Sequence, residues 1–196
     1  MENKFTIDGI IKGGIEIGLK NAVAIVVNAI LWLLTIWIPY LNVGTTIGMT
    51  VGIVAKASKG ETIGMTEIFN PEYRKYMGEY FLTYGLVFIG VFVGLVFMVG
   101  PGIIIALAWS QALLLLIDKA KNPMEAISLS NKVTYGKKGT MFLAFLVVVV
   151  AVSILSAIFQ MIPVVGTLLV AALSILQIFI SIGMNAYIYK SLCSDL

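Results

Sequence analysis

The side chains best placed for chemistry are polar groups that recur at helical spacing inside long apolar stretches. One set near the end of the chain follows a 3-4-4 spacing, which places its members on a single helical face. Its members are Ser174, Gln177, Ser181 and Asn185. Hydroxyl and amide groups in hydrocarbon need hydrogen-bond partners, so this face should meet protein or water.

Two readings of the polar groups follow from that requirement. The first is a water-filled path, and its candidate residues are Gln160, Gln177, Ser181 and Asn185. The alternative is hydrogen bonding between helices, at about 0.6 kcal/mol per contact. A further set recurs every seven residues near the start of the chain (Asn21, Asn28 and Thr35) and is expected to face protein or water for the same reason.

Glycines form a second pattern with a physical meaning. Gly44, Gly48 and Gly52 lie four residues apart, and Gly90 and Gly94 repeat that spacing. Glycines on one face let two helix backbones approach closely in lipid. This face is either the seam of a homo-oligomer around a pore or a packing surface within one bundle. Gly13, Gly14 and Gly18 also resemble helix-packing residues.

Enzymatic chemistry is not expected. The chain has no histidine and only one cysteine, Cys193, and its acidic residues lie outside the apolar stretches. A nucleophile with a base, a Cys/His metal site and a cofactor site therefore all lack their components. The net charge of +3 is too small to suggest nucleic-acid binding. We expect no catalytic residue, no metal and no cofactor.

The amino-acid composition indicates which kind of secondary structure positions the polar residues and the glycines. Hydrophobic side chains make up 60% of the 196 residues and charged ones 12%, against about 45–50% and about 25% in soluble domains. The charged residues fall into four clusters. Between the clusters lie three uncharged blocks, 21–55, 80–117 and 139–189. The sequence therefore predicts an all-α integral membrane protein with a single membrane domain, 1–196.

Each uncharged block is too long for one crossing, which needs about 20 helical residues. Each also contains proline and glycine near its middle, which predicts a hairpin of two helices. Six transmembrane helices follow, as hairpins at about 22–57, 80–117 and 140–188. All 13 Lys and Arg residues then lie on one side, and the positive-inside rule makes that side cytoplasmic. We expect a prokaryotic inner-membrane protein with both termini in the cytoplasm.

Three charged segments, at about 5–20, 61–78 and 122–136, are predicted to form short amphipathic helices at the inner surface. Two of them begin with Asn-Pro, at Asn70 and at Asn122, which favours a helix start because Asn caps and Pro fits the first turn. The net charge belongs mainly to residues 118–138. Lys132, Lys137 and Lys138 are therefore the candidates for contact with anionic lipid headgroups.

The run from Asn122 through Pro123, Glu125 and Ala126 to Thr134-Tyr135-Gly136 resembles a segment of certain prokaryotic membrane families. These are the DUF975/YciC-like proteins and the membrane domain of glycerophosphoryl diester phosphodiesterases, in which a Pro-x-Glu-Ala helix and a Thr-x-Gly turn precede an apolar hairpin. The resemblance covers about 17 residues, and the tryptophans usual at those positions are absent. It implies a helical bundle of the inner membrane and no defined activity.

Three functions remain open on these patterns. The favoured one is a pore- or transport-type bundle or homo-oligomer for a small solute or ion. The second is an accessory or membrane-organising protein that acts on lipids or a partner through its basic surface. The third is a substrate-capture subunit of an importer, which rests on length and span count alone.

Overall fold

The structure, a computed structural model, describes residues 5–196; the first four residues of the expected domain lie outside that range. Every regular element in the described range is helical, which confirms the all-α prediction there. The α-helices are α1 (Ile7–Lys20), α2 (Ala22–Thr35), α3 (Pro39–Ile47), α4 (Ile53–Lys59), α5 (Met77–Phe97), α6 (Val99–Ala108), α7 (Ala112–Asp118), α8 (Pro123–Thr134), α9 (Lys138–Gln160) and α10 (Val165–Cys193).

Three short helices of other types connect these elements. A π-helical turn, Gly48–Gly52, joins α3 to α4, so that the backbone is helical from residue 39 to residue 59. We call this turn the π segment. Two 3-10 helices, Glu67–Phe69 and Pro71–Tyr76, lead from the loop after α4 into α5.

The predicted helix starts at the two Asn-Pro pairs are confirmed. Asn122 Oδ1 accepts a hydrogen bond from the Glu125 amide at 2.9 Å and so caps α8. Asn70 Oδ1 accepts from the Glu72 amide at 3.0 Å and begins the 3-10 turn that continues into α5. Both side chains satisfy an amide that the first helical turn leaves without a backbone partner.

The turns inside the first two uncharged blocks lie slightly earlier than the prolines suggest. The first turn covers residues 36–38, and Pro39 is the first residue of α3. Only Met98 separates α5 from α6, so Pro101 lies in the first turn of α6. Proline is favoured there because the first helical amides have no intrahelical acceptor.

Four helical units are long and apolar enough to cross a membrane: Pro71–Phe97, Val99–Asp118, Lys138–Gln160 and Val165–Cys193. A fifth results if α1 and α2, which bend by 69° at their junction, count as one broken span. Length and composition thus support four or five membrane-spanning helices.

The buried core surrounds the C-terminal half of α10. Met184 and Ile188 pack with Ile10 of α1 and with Met141 at the start of α9, and all four are at most 1% exposed. A second cluster joins α2, the α3–α4 unit, α7 and α8 to the end of α10. By contrast, α5, most of α9 and the first half of α10 expose large apolar side chains, as helices in contact with lipid do.

The contact between α1 and α10 depends on glycine. A Cβ atom on Gly14 would collide with Met184, one on Gly18 with the Phe179 carbonyl, and one on Gly183 with the Gly14 carbonyl. The interpretation of the α1 glycines as helix-packing residues is therefore confirmed. The two backbones approach as closely as small residues allow.

Candidate functional site

A cavity of about 660 Å³ lies between the α3–α4 unit, α7 and α10. We call it the polar cavity. Hydroxyl and amide side chains share its wall with seven apolar ones, and none of the described residues that line it is charged. The polar wall residues are Thr50, Ser110, Ser174, Gln177, Ser181 and Asn185.

The polar face of α10 forms one wall, as its spacing implies. Ser174 and Asn185 use one hydrogen bond each within the helix, to the carbonyls of Val170 at 2.9 Å and Ser181 at 3.0 Å. The Gln177 amide makes no hydrogen bond with another described residue. Its donors and acceptor are therefore free to meet a molecule in the cavity.

The second wall is the π segment. Met49, Thr50 and Val51 face the cavity from it, and Thr50 Oγ1 donates to the Thr46 carbonyl at 2.7 Å. A π-helical turn is a rare departure from the α-helix and is frequent at functional sites.

Packing from the rear supports the π segment. A Cβ atom on Gly48 would lie 2.7 Å from Ile68 Cα, and one on Gly52 would collide with the Tyr73 ring. The loop between α4 and α5 therefore presses directly on the backbone behind the cavity wall. Larger residues at these two positions would displace that loop.

The third wall is also an interrupted helix. Residues 109–111 separate α6 from α7, and Ser130 of α8 joins the two ends. Its hydroxyl donates to the Ala108 carbonyl at 2.7 Å and accepts from the backbone N–H of Gln111 at 3.1 Å. Ser110, in the interruption, faces the cavity and accepts from Gln111 Nε2 at 3.0 Å. Two of the three walls thus have irregular backbone at the cavity.

The cavity lies near the middle of its helices. Its α10 residues, 174–185, include the midpoint of that helix. Its residues in the π segment and α4 (49–54), like those of the α6–α7 interruption and α7 (110–114), lie from the middle of their units toward the charged end. In many transporters, substrate sites lie at this depth, between helices with interrupted backbones.

Two ion pairs fix α4, which follows the π segment directly. Lys56 binds Glu67 at 2.8 Å, and the Tyr73 hydroxyl donates to the same carboxylate at 2.7 Å. The Glu67 side chain is 7% exposed. Burial by itself raises the pKa of Glu67, but the hydrogen bonds from Lys56 and Tyr73 and the Lys56 charge outweigh burial and hold that pKa below its usual value.

The second ion pair joins three helices. Lys59 at the end of α4 binds Asp118 at the end of α7, and the Tyr189 hydroxyl of α10 donates to Asp118 at 2.8 Å. The Asp118 side chain is only 5% exposed. A buried carboxylate is stable there because both a cation and a hydrogen-bond donor compensate for its lost hydration.

The predicted path residues separate into two groups. Gln177, Ser181 and Asn185 line the polar cavity together. Gln160 is the last residue of α9, is exposed and does not line it. Only part of the proposed path is therefore one space, and residues of the α3–α4 unit (49–54) and of the segment 110–114 complete it.

The predicted glycine face is filled by the same chain. Residues of the loop before α5 cover it: the Arg74 side chain lies against Gly44, the Ile68 backbone against Gly48 and the Tyr73 ring against Gly52. In the next hairpin, Gly90 meets the Trp109 ring and Gly94 meets Gly102 of α6. A second copy of the protein is not needed to cover either set.

The candidate headgroup lysines lie at the two ends of the turn between α8 and α9. Lys132 is exposed; Lys138 donates to Asn131 Oδ1 at 3.0 Å, and the Lys137 ammonium lies 5.3 Å from the centre of the Phe5 ring. Lys132 is the member of this set that is most available to a ligand outside the protein.

Sequence reasoning missed several residues of the site. It placed Asp118, like the other acidic residues, outside the apolar stretches and did not pair it with Lys59, which lies on another helix. It also missed Ser130, although Ala126, Ser130 and Thr134 recur every four residues and so mark a face of α8 that can approach another helix. All three are fully buried.

Comparisons with protein-family models, with curated protein sequences and with solved structures found no match to this chain. Among residues 5–196, no group of three or more Cys, Asp and Glu side chains is arranged to hold a metal ion. The site is therefore defined by its own geometry: an uncharged, polar cavity between the α3–α4 unit and two helical units, Val99–Asp118 and Val165–Cys193, that are apolar enough to cross a membrane.

Proposed function

We propose that this chain is a transport-type protein of the prokaryotic cytoplasmic membrane that binds a small uncharged molecule in the polar cavity. The observation that carries the proposal is the meeting of two interrupted helices with the polar face of α10 around one cavity at mid-helix depth. Interrupted backbone at membrane depth is tolerated where it lines a cavity or is buried in protein, and the Ser130 hydroxyl binds backbone groups at both ends of one interruption here.

A binding-and-release route fits this site better than an open pore. The Gly44–Gly52 face, which suggested a ring of copies around a pore, is covered from within the chain. The single bundle already contains a cavity whose volume is in the range of about 300–1,000 Å³ of ligand sites. The proposal therefore needs one copy of the chain.

The proposed topology has six spans with both termini in the cytoplasm. The continuous helical run from Pro39 to Lys59 supports the second span, since 21 residues reach about 30 Å. The first span, α2, has 14 helical residues and reaches about 21 Å, so it requires local thinning of the bilayer or residues from its flanks.

Cysteine labelling with a membrane-impermeant maleimide tests this topology in a Cys193→Ser background. Tyr40→Cys, Gly100→Cys and Val164→Cys should react in intact cells, and Ser128→Cys should react only after the cells are permeabilised. Labelling of the first three only after permeabilisation would contradict the proposed orientation.

A flux assay tests the function. Proteoliposomes loaded with buffer are mixed with glycerol or urea, and light scattering follows solute passage. Gln177→Leu should slow passage about fivefold, since about 1 kcal/mol is lost with one hydrogen bond in the site. Gln160→Leu is the matched control, because the same substitution falls outside the cavity. Equal rates for both variants and for empty liposomes would remove the transport proposal.

The basic surface supports a second role in the same protein. Lys132 is exposed on α8 and lies in the segment with the highest net charge. Contact of this surface with anionic lipid headgroups would orient α8 without involving the cavity.

A further inference from the structure

The polar cavity opens sideways. Ser174 and Ile178, which line it, are themselves exposed on the outer face of α10, Ile178 to 52%. Gln177, Ser181 and Asn185 lie deeper and are half-buried. The opening thus lies at the middle of a 29-residue apolar helix rather than at either end.

The surroundings of that opening decide what can reach it. In the proposed membrane placement, on which this inference rests, the middle of α10 lies in the hydrocarbon layer. A solute dissolved in water does not enter the cavity by a side opening at that depth, whereas a molecule dissolved in the bilayer does.

The wall chemistry limits the head of such a molecule. None of the described lining residues carries a charge, so an ionised headgroup would lie unpaired in an apolar setting. A pure hydrocarbon would leave the Gln177 amide without a partner, which is also unfavourable. An uncharged hydroxyl satisfies both conditions, because it can donate to and accept from amide and hydroxyl groups.

We propose that the polar cavity binds, from within the bilayer, a neutral amphiphile whose head is a hydroxyl group, as in a long-chain alcohol or a diacylglycerol. Gln177 and Ser181 hold the hydroxyl head at the half-buried end. Ile178 and Ile182 contact the start of the hydrocarbon chain, the rest of which extends through the opening beside Ser174.

Photolabelling in phosphatidylcholine nanodiscs tests the proposal. The probe is a long-chain alcohol with a diazirine on its chain. The comparison probes are the same chain without the hydroxyl and the same chain ending in a phosphate. Peptide mass spectrometry locates the labelled residues, and unlabelled alcohol serves as competitor.

The expected result is saturable labelling by the alcohol within 49–54 or 174–185, about fivefold above the hydroxyl-free chain. Gln177→Leu and, separately, Ser181→Ala should lower it several-fold, and Gln160→Leu should not. Any of three results would overturn the proposal: equal labelling by the hydroxyl-free chain, preference for the phosphate probe, or labelling that neither Gln177→Leu nor Ser181→Ala reduces. Circular dichroism of each variant verifies that the helices remain formed.

The flux assay separates this inference from the transport proposal. Saturable labelling without solute passage would support the amphiphile site and refute transport of the tested solutes. Passage of glycerol that depends on Gln177, without specific labelling by the alcohol, would refute the amphiphile site and leave transport in place.

Discussion

Replacement of Gly183 by alanine is expected to force α1 away from α10. A Cβ atom at this position would overlap the Gly14 carbonyl oxygen and lie 2.7 Å from the Gly18 nitrogen. Both obstacles are backbone atoms, so no side-chain rotation can make room. The contact can accept the methyl group only if the two helices separate.

The size of the effect follows from two opposing contributions. Alanine is favoured over glycine inside a helix by about 1 kcal/mol. Overpacking of a tight contact destabilises by about 1–3 kcal/mol, and the upper end applies here because backbone faces backbone. The net loss in the free energy of unfolding is about 2 kcal/mol, or a fall in Tm of about 4–8 °C for a chain of this size.

Thermal unfolding in detergent, followed by circular dichroism, measures this loss. Gly85→Ala is the matched control: it lies inside α5, and a Cβ atom there would have no neighbour within 4 Å. The control should raise Tm by about 2–4 °C, because only the helix propensity changes. An increase in Tm for Gly183→Ala as well would refute the close contact between α1 and α10.

Three further predictions concern charged groups. Asp118→Asn should lower the free energy of unfolding by about 2 kcal/mol, a value between those for exposed and buried ion pairs. A double-mutant cycle with Lys59→Met should give a coupling energy of about 1 kcal/mol between Lys59 and Asp118. A coupling energy near zero would contradict the ion pair. Since the folded pKa of Glu67 lies below its ordinary value of 4.5, its stabilisation is complete above that pH and is lost as pH falls through the folded pKa. Glu67→Gln should therefore flatten the Tm profile in that acidic window, and an unchanged profile would contradict it. Lys132→Glu should weaken binding to phosphatidylserine vesicles but not to phosphatidylcholine vesicles, as co-sedimentation measures, and equal loss on both would argue against a headgroup contact.

The helices and their local starts could be predicted from the sequence because their causes are local. Uncharged blocks predict long apolar helices, and Asn-Pro pairs predict where two helical segments begin. The buried stripe of Asn28 and Thr35 also follows from spacing: Asn28 Nδ2 donates to the Gly64 carbonyl at 2.8 Å, and the Thr35 and Thr45 hydroxyls lie 2.8 Å apart.

The partners across the fold could not be predicted in the same way. Spacing shows that Gln177, Ser181 and Asn185 share a face, but it does not show which helices face them. The ion pair between Lys59 and Asp118 joins residues far apart in the chain, so neither residue has a local signal of the other. The number of spans that cross the membrane also depends on helix length and bending, which composition does not specify.

The α1–α10 contact has a consequence for biosynthesis. Gly183, which packs against α1, is on α10, a helix that begins at Val165 after eight intervening α-helices. At about 5–20 residues per second, the ribosome needs about 7–30 s to make the intervening segment. During that interval the glycine face of α1 lacks its α10 partner, so α1 can settle into its final place only after α10 has been made. A chain that stalls before α10 therefore leaves that face exposed to chaperones and membrane proteases.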